Sequence, residues 1–489
     1  MLFNSHIFML LFLPLLLAGW YFLNWKKKFQ LAQGYLIGMS LWFYAYANLQ
    51  YLWLLLFSCL IGWLLSCLPE KIFSEKGKKV LTGVGCVFHL GLLGYFKYSN
   101  FFLENLNTVF HTDFPMLQIL LPVGISFYTF QQLAYLIDRC RGDAPRDSFF
   151  DYLTFMVYFP QLLQGPILLR SEFMGQLKEP ERRRFHAGRF SEGIQFFVFG
   201  LAKKVLLADT LAKAVNYGYS NVSMLDSISA LLLAAGYLTE LYFDFSGYCD
   251  MAVGLGKMIG LEVAENFDAP FHSASVKEFW RRWHMTLGRF FTRYVYIPLG
   301  GNRKGKMGTL CNVMIVMLLS GLWHGAAWTF VLWGFLHGVG MIWDNLEHPH
   351  LPKKWMRQAA TFAYVCMTFV FFRAESIAQG VDVLKSIVSL KWNGFVFQMA
   401  SALDLTEFYM ITKALSMKLP GLLSWFWLGI FVVLIAICFR VLSGKKVSGV
   451  AALQRQKGYG RLYPVLLAVL FTWSMISMTG VSEYLYFSF

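Results

Sequence analysis

An all-α polytopic membrane protein is the fold class this sequence predicts, and three observations carry the prediction. Apolar stretches of spanning length recur along the whole of the 489 residues. Hydrophobic residues make up 57% of the chain and charged residues 15%, with a mean hydropathy of +0.50, where a soluble domain carries about 25% charged residues. The basic residues gather between the apolar stretches. Together these exclude a disordered chain, a collagen-like chain and an ordinary soluble enzyme. The length alone would suggest about three soluble domains. That prior does not hold for apolar stretches repeated end to end, so residues 1–489 are read as a single integral membrane domain.

The elements follow in order. A spanning helix needs about 20 apolar residues. Candidates lie at 7–23, 31–48, 51–68, 80–97, 117–137, 189–208, 226–245, 308–323, 326–344, 357–373, 422–440 and 462–480, about eleven or twelve spans. In the first, Lys26, Lys27 and Lys28 follow the apolar run. A secretory signal has its charge first and a small-residue cleavage site after, so this segment is read as a retained span entering from outside. The run 149–169 is apolar but interrupted by Pro160, Gly165 and Pro166. Irregular backbone at membrane depth survives only when buried in protein, so a re-entrant segment is expected there.

Basic clusters at Lys26–Lys28, Lys71–Lys79, Arg139–Arg146 and Arg170–Arg189 alternate with the basic-poor stretches 47–51 and 98–115. The positive-inside rule then puts both termini on the extracytoplasmic side. The excess of 43 Lys and Arg over 28 Asp and Glu, a net charge of +15, is thus mainly a topology signal. Because it is spread over loops, it does not indicate nucleic-acid binding. The eight Cys are scattered without a CxxC pair, so neither a zinc site nor a disulfide framework is signalled.

Two histidines have unusual surroundings. His324 lies in Ser320-Gly321-Leu322-Trp323-His324-Gly325, inside an apolar region. An ionisable residue at membrane depth is costly and marks a functional position by default. Imidazole also suits general-base work on a hydroxyl. A core histidine bonded to a carbonyl is the structural alternative. At 1.5 Å per residue, the 18 residues from Lys306 to His324 cover roughly 27 Å, close to a full bilayer core. If Arg303–Lys306 is cytoplasmic, His324 sits toward the outer side.

His284 lies within Lys277–Arg293. Helical spacing there groups Arg282, Arg289 and Arg293 on one face and Trp280, His284 and Phe291 on another. The pattern predicts an amphipathic interfacial helix. It would be either a lipid-surface helix or a basic mouth for a phosphorylated acyl donor. Asp244 and Asp250 lie at the end of an apolar run, and Asp244 would orient a histidine, bind substrate or cap the next helix.

Other motifs are weaker. Gly300–Met307 approaches a phosphate-binding loop, but Met307 stands where Ser or Thr is required and no strand precedes it. Gly254, Gly256 and Gly260 miss the dinucleotide spacing. Glu347-His348-Pro349-His350 is read as a polar turn rather than a metal site. No HExxH or GxSxG occurs, which leaves a metalloprotease or a nucleophile-elbow hydrolase unsupported.

Seven stretches taken together resemble the membrane-bound O-acyltransferase family, in its bacterial polysaccharide O-acetyltransferase branch. They are Ser126–Gln131, Tyr158–Ile167, Tyr242–Asp250, Asn266–Phe271, Glu278–Leu287, Tyr296–Arg303 and Ser320–Trp328. The resemblance covers about residues 5–480, with a signature core near 120–345 between N-terminal helices 1–115 and C-terminal helices 355–489. The alginate and peptidoglycan O-acetylation membrane subunits are similar, and the teichoic acid D-alanyl transferase more distantly so. The resemblance implies a ring of helices around a thinned centre, with inner and outer funnels meeting near the catalytic histidine. It makes His324 the essential histidine and His284 the second signature position.

Substrate or donor contacts are expected from Trp283, Arg281, Arg282, Arg289, Trp323, Asp244, Ser320 and Gln164, and no metal. No tightly bound cofactor is expected. The expected donor substrate is acetyl-CoA or another acyl thioester, carried by CoA or a carrier protein. The expected partners are a polysaccharide acceptor, a periplasmic acetyltransferase and membrane lipid, in a bacterial cytoplasmic membrane. D-alanyl transfer to teichoic acid, a transporter and a passive structural subunit are the competing readings.

Overall fold

The computed structural model describes residues 1–46, 49–67, 75–346, 351–405, 408–440, 462–478 and 484–485. Helices account for the regular structure, and no strand occurs among the described residues. The chain divides into two compact units. One comprises Met1–Val198, Tyr248–Glu265 and Arg289–Pro298, and the other Phe199–Gly247, Asn266–Gly288 and Leu299–Phe489.

The first unit opens with α1 (Leu13–Trp25), α2 (Phe29–Ala45), α3 (Leu49–Cys67), α4 (Glu75–Leu93) and α5 (Ser99–Phe110). A π turn joins α4 to α5. The few polar side chains on these apolar helices are used as ties. The Trp20 indole N–H donates to the Ile259 carbonyl at 3.2 Å, and the Gln33 amide donates to Asp151 and Thr154, each at 2.9 Å. The helix expected over 117–137 begins only at Ile125 and runs to Arg141 as α6. Pro115 and Pro122 lack the N–H a helix interior needs, and Gly124 at φ +77° sets a left-handed turn at the helix start.

The run 149–169 is broken where the sequence predicts. α7 (Phe149–Val157) stops at Tyr158, α8 (Phe159–Leu162) follows, and irregular backbone leads to α9 (Arg170–Leu177). Residues 155–168 are buried, which is the condition for irregular backbone away from water. A side chain at Gly165 would collide with the Pro160 carbonyl and the Gln161 backbone.

α10 (Ala187–Ala202), a π turn, and α11 (Asp209–Ser220) precede α12 (Ser227–Met258). α12 runs 13 residues beyond the expected end at 245. The sequence from Phe245 to Met258 contains no proline. Its glycines are sites of close helix approach, since a Cβ on Gly254 would lie 2.5 Å from the Gly193 carbonyl oxygen and one on Gly247 2.7 Å from that of Gly200.

The second unit adds α13 (Val276–Arg282), α14 (Met285–Phe291), α15 (Gly305–His324), α16 (Trp328–Asn345), α17 (Lys354–Arg373) and α18 (Ile377–Val388). It closes with α19 (Phe395–Ser401), α20 (Tyr409–Lys418), α21 (Pro420–Arg440) and α22 (Leu462–Ser477). α14 begins here and ends in the first unit. Helices α18, α19 and α20 fall where no span is expected and are short. The unit's core is rich in aromatic rings, among them Trp283, Phe279, Trp333, Phe369 and Phe372. Among the described residues, five runs are long and apolar enough to cross a bilayer: Phe8–Trp25, Leu49–Cys67, Lys76–Phe110, Ser227–Met258 and Gly305–His324. The other expected spans are helices that are shorter or more polar. Lys71, within one basic cluster, and much of Arg440–Arg461 lie outside the described residues.

Asp226, not Asp244, caps α12. Its carboxylate accepts the Ser229 N–H at 2.8 Å, and the Ser229 hydroxyl accepts the Asp226 N–H at 2.8 Å. The second carboxylate oxygen takes the N–H groups of Asn393 and Gly394 at 3.2 and 3.1 Å. Burial alone would raise its pKa, but these donors outweigh it and hold the carboxyl below its ordinary value. A carboxyl lowered in the folded state stabilises above its unfolded pKa and loses that contribution as pH falls through the folded value. Asp226→Ala should cost about 1–2 kcal/mol, read as a lower thermal midpoint in detergent at pH 7. The difference from wild type should shrink as pH is lowered toward 3 or below.

Candidate active site

α15 and α16 form a tight antiparallel hairpin that positions His324. A Cβ on Gly321 would lie 3.3 Å from the Gly334 Cα, and one on Gly334 would lie 2.5 Å from the Met317 carbonyl oxygen. Such closeness requires glycine on both helices. His324 is the last residue of α15, and Gly325 follows in extended conformation. The Phe330 ring occupies the space a side chain at Gly325 would need. α15 is unbroken over 20 residues, a length of roughly 30 Å. His324 therefore stands one bilayer core away from the basic turn 303–306, as a straight helix predicts. That turn holds Gly300, Gly301 and Gly305 at positive φ. It leads into α15 but follows a π-helical turn at Thr292–Tyr296 and not the strand that a phosphate-binding loop requires.

His324 is 4% exposed and is enclosed by rings. Trp323, Trp333 and Phe372 have centroids 5.0, 5.1 and 5.2 Å from its own. A hydrogen-bonded chain supports this wall. The Trp280 indole N–H donates to His337 Nδ1 at 3.2 Å, and His337 Nε2 lies 2.9 Å from the Thr368 hydroxyl. That hydroxyl donates to the Val365 carbonyl at 2.8 Å. With Nδ1 accepting, the neutral His337 ring carries its proton on Nε2.

The continuous amphipathic helix expected over 277–293 is not formed. The chain breaks between α13 and α14, with Trp283 extended and His284 at φ +45°. The segment following α12 forces the break by replacing the helical hydrogen bonds. The Asp268 N–H donates to the Arg282 carbonyl and the Met285 N–H to the Asn266 carbonyl, each at 2.9 Å. The Asn266 side-chain oxygen accepts the backbone N–H and the hydroxyl of Thr286, each at 3.0 Å, and lies 3.1 Å from His284 Nδ1. His284 is buried, and its Nε2 has no hydrogen-bond partner among the described residues. Burial pushes its pKa down to about 3, so the ring is neutral near pH 7. Its centroid is 6.5 Å from that of His324 and 6.1 Å from that of Trp323, with Phe245 edge-on at 4.7 Å. The two histidines and Trp323 are thus brought together.

The remaining expected site residues are distributed differently. Ser320 is buried on α15, one turn before His324. Trp283 is buried among Phe279, Phe267 and Phe369, where it serves the core. Asp244 sits inside α12 and pairs with Lys204 at 2.7 Å, so the capping alternative is excluded. The basic face is already neutralised in part. Arg282 pairs with Glu278 at 2.9 Å, Arg289 with Glu172 at 2.6 Å, and Arg293 with Asp138 and Asp143, each at 2.9 Å. Arg281 is exposed.

Gln164 and Arg289 belong to the first unit. Gln164 is fully buried, and neither amide atom has a partner among the described residues. Glu347–His350 lies outside the described residues. No group of three potential metal ligands occurs among the described residues.

Sequence reasoning singled out neither Asn266 nor His337 nor Lys204 as a site residue. Lys204 lies inside an apolar run, the same signal that drew attention to His324. Asn266 and His337 act through partners 18 and 57 residues away in sequence, which spacing does not reveal.

A buried histidine thus ends an apolar helix, and a second buried histidine lies with its ring centroid 6.5 Å away. The profile of the membrane-bound O-acyltransferase family matches residues 143–378. The peptidoglycan O-acetyltransferase of Helicobacter pylori is 35% identical over 423 residues, covering 80% of each chain. The probable alginate O-acetylase AlgI of Pseudomonas putida is 39% identical over 393 residues, covering 77% of this chain and 78% of that one. A teichoic acid D-alanyltransferase of Streptococcus thermophilus is 28% identical over 253 residues, covering 49% of this chain and 58% of that one. The chain belongs to the membrane-bound O-acyltransferase family and is an O-acyltransferase.

Gly321→Leu tests the hairpin. The added side chain must separate α15 from α16 and displace His324. Acyl transfer should fall at least tenfold in membranes matched for protein content, with a lowered thermal midpoint.

Proposed function

We propose that this protein takes an acetyl group from a cytoplasmic thioester and passes it across the membrane for O-acetylation of an extracytoplasmic polysaccharide. The observation that carries the reading is the pair of buried imidazoles 6.5 Å apart, a helix length from a basic turn. In the reaction, the imidazole pair takes the proton of the acceptor hydroxyl. The oxygen attacks the thioester carbonyl, the carbon–sulfur bond breaks, and the leaving thiolate takes the proton back. Neutral imidazole suits both transfers. The relatives named for peptidoglycan and alginate acetylation support acetyl as the group and a polysaccharide as the final acceptor. Acetyl-CoA is the donor we propose. The acceptor hydroxyl belongs either to the sugar or to a periplasmic transferase that completes the transfer.

The positive-inside distribution supports a bacterial cytoplasmic membrane location with both termini outside. For the donor's phosphates we propose Arg281, since it is exposed while Arg282 and Arg289 hold carboxylates of the protein. Trp323 and Ser320, beside His324, are proposed to line the acyl path.

The test is transfer from radiolabelled acetyl-CoA in membranes, with cell-surface fractions as acceptor. Wild type should label an extracytoplasmic polymer or protein, and His324→Ala should lose at least 99% of this at equal expression. Retained transfer by His324→Ala would remove it from the centre of the reaction. Label from D-alanine but not acetate would move the protein to the D-alanyl reading, and passage of solute without covalent transfer would make it a transporter. Arg281→Ala should raise the donor KM several-fold with little change in kcat. An unchanged KM would take Arg281 out of the donor site.

A further inference from the structure

The hydrogen bonds around Asn266 fix more than a backbone turn. Its side-chain oxygen is identified as oxygen by the Thr286 backbone N–H that donates to it at 3.0 Å. An amide oxygen only accepts. His284 Nδ1, 3.1 Å away, must therefore carry a hydrogen and donate it. In a neutral imidazole the other nitrogen is then bare. That nitrogen, Nε2, is buried and has no protein partner among the described residues. A buried lone pair left unsatisfied costs stability, which is tolerable at a place where a substrate supplies the missing hydrogen.

We infer that Asn266 is a positioning residue that commits His284 to the role of proton acceptor, with its Nε2 lone pair receiving the hydrogen of the acceptor hydroxyl. This rests on the acyl-transfer reading above and deepens it. The alternative role for a second histidine, donating a hydrogen bond to the acyl oxygen, needs hydrogen on Nε2. The neutral ring does not have it while Asn266 holds Nδ1–H. The step balances simply. The hydroxyl O–H bond breaks toward Nε2, the hydroxyl oxygen bonds to the acyl carbon, the C–S bond breaks, and the proton passes from Nε2 to the thiolate.

The geometry is over-determined. Asn266 uses its backbone carbonyl for Met285 and its side-chain oxygen for Thr286, so His284 is held at φ +45° by the same residue that sets its tautomer. On its other sides the ring meets Phe245, Trp323 and His324. The titratable and charged groups on the elements around it include His324 and Lys306 on α15, buried Glu240 and Asp244 with Asp250 and Lys257 on α12, Lys204 paired to Asp244, and Asp268 beside Asn266. On its own segment are Glu278, Arg281 and Arg282. His324 is the one whose ring packs against His284.

Asn266→Asp tests the inference because it keeps the oxygen and the shape while adding a negative charge beside Nδ1–H. An opposite charge at hydrogen-bond distance favours imidazolium and raises the pKa by one unit or more. Because the acceptor must be neutral, the acid limb of kcat/KM for acetyl transfer should move to higher pH by at least one unit. Above that limb Asn266→Asp should regain most of the wild-type rate. Asn266→Ala should be slow at every pH, at least tenfold, with no upward movement of the limb.

A second readout does not depend on turnover. In 15N-histidine-labelled protein, the signals lost on His284→Ala should be those of an Nδ1–H tautomer. An acid limb that stays in place in a folded Asn266→Asp, or an Nε2–H tautomer, would overturn the inference. The acyl-transfer reading fails separately, by absent transfer in wild type or retained transfer in His324→Ala. Thermal midpoint and monodispersity of the detergent-solubilised variants report whether each is folded. If Asn266→Asp does not fold, the tautomer measurement on the wild-type chain decides.

Discussion

The break at Trp283–His284 is the constraint on which the site depends. A histidine at positive φ is uncommon, and it persists only where the surroundings over-determine it. Here the surroundings are the segment from Asn266 to Asp268, which substitutes for the helical partners that α13 and α14 give up. The Asp268 N–H takes the Arg282 carbonyl and the Asn266 carbonyl takes the Met285 N–H. Without the break, an unbroken helix would carry His284 along its side at the mercy of helical phase. With it, the ring turns inward to sit 6.5 Å from His324. The strain of one residue is thus exchanged for the placement of a buried imidazole.

The same economy of polar groups runs through the second unit. Lys204 and Asp244 are both buried and paired at 2.7 Å, and Lys204 also reaches Asp209 at 2.8 Å. Removing Lys204 would leave the buried Asp244 carboxyl without its ion-pair partner, a loss that typically costs about 3–5 kcal/mol. The Trp280–His337–Thr368 chain does for neutral groups what Lys204 does for charged ones. Every member except the last hands a hydrogen to the next side chain, and the last hands one to a carbonyl. Trp280 is thereby held against Trp333, with centroids 5.7 Å apart, and Trp333 in turn lies against His324. The wall is stiffened because Trp280 and His337 are fixed by polar atoms as well as by packing.

The membrane class and the two histidines were legible because their signals are local. Hydropathy marks a span within a window, and an ionisable residue in an apolar run stands out by contrast. The broken segment at 158–166 was legible for the same reason, since Pro160, Gly165 and Pro166 act on their immediate neighbours. The start of α6 was misplaced because apolar content over 117–124 outweighed two prolines and a glycine in the reading. The end of α12 was misplaced because its glycines look like breakers in sequence and act as contact points in space. The amphipathic helix over 277–293 was the larger departure. Its helical periodicity is real within α13 and within α14, but the interruption is imposed by Asn266, which periodicity within the segment does not register. The basic face was overestimated for a related reason, as Glu172 and Asp138 lie 117 and 155 residues away from the arginines they neutralise.

In the proposed reaction, the burial of His284 bears on why proton transfer would be set inside the protein rather than at its surface. A neutral imidazole in a water-poor site is a weak base toward bulk protons, since burial disfavours the charged form. It stays in its reactive form over a wide range of pH. When a hydroxyl gives up its proton there, the imidazolium and the developing oxyanion form together, and their attraction is strong because the surroundings screen it poorly. The cost of charging the histidine is then offset by the charge created beside it, at the moment of reaction and not before. Aromatic rings suit the walls of such a site. They exclude water, and their faces tolerate a nearby cation, so a site walled by Trp323, Trp333 and Phe372 would suit a proton held transiently in the proposed reaction. A buried carboxylate in direct contact with the His284 ring would favour its charged form. The structure instead gives His284 a neutral amide oxygen and keeps Asp244 engaged with Lys204.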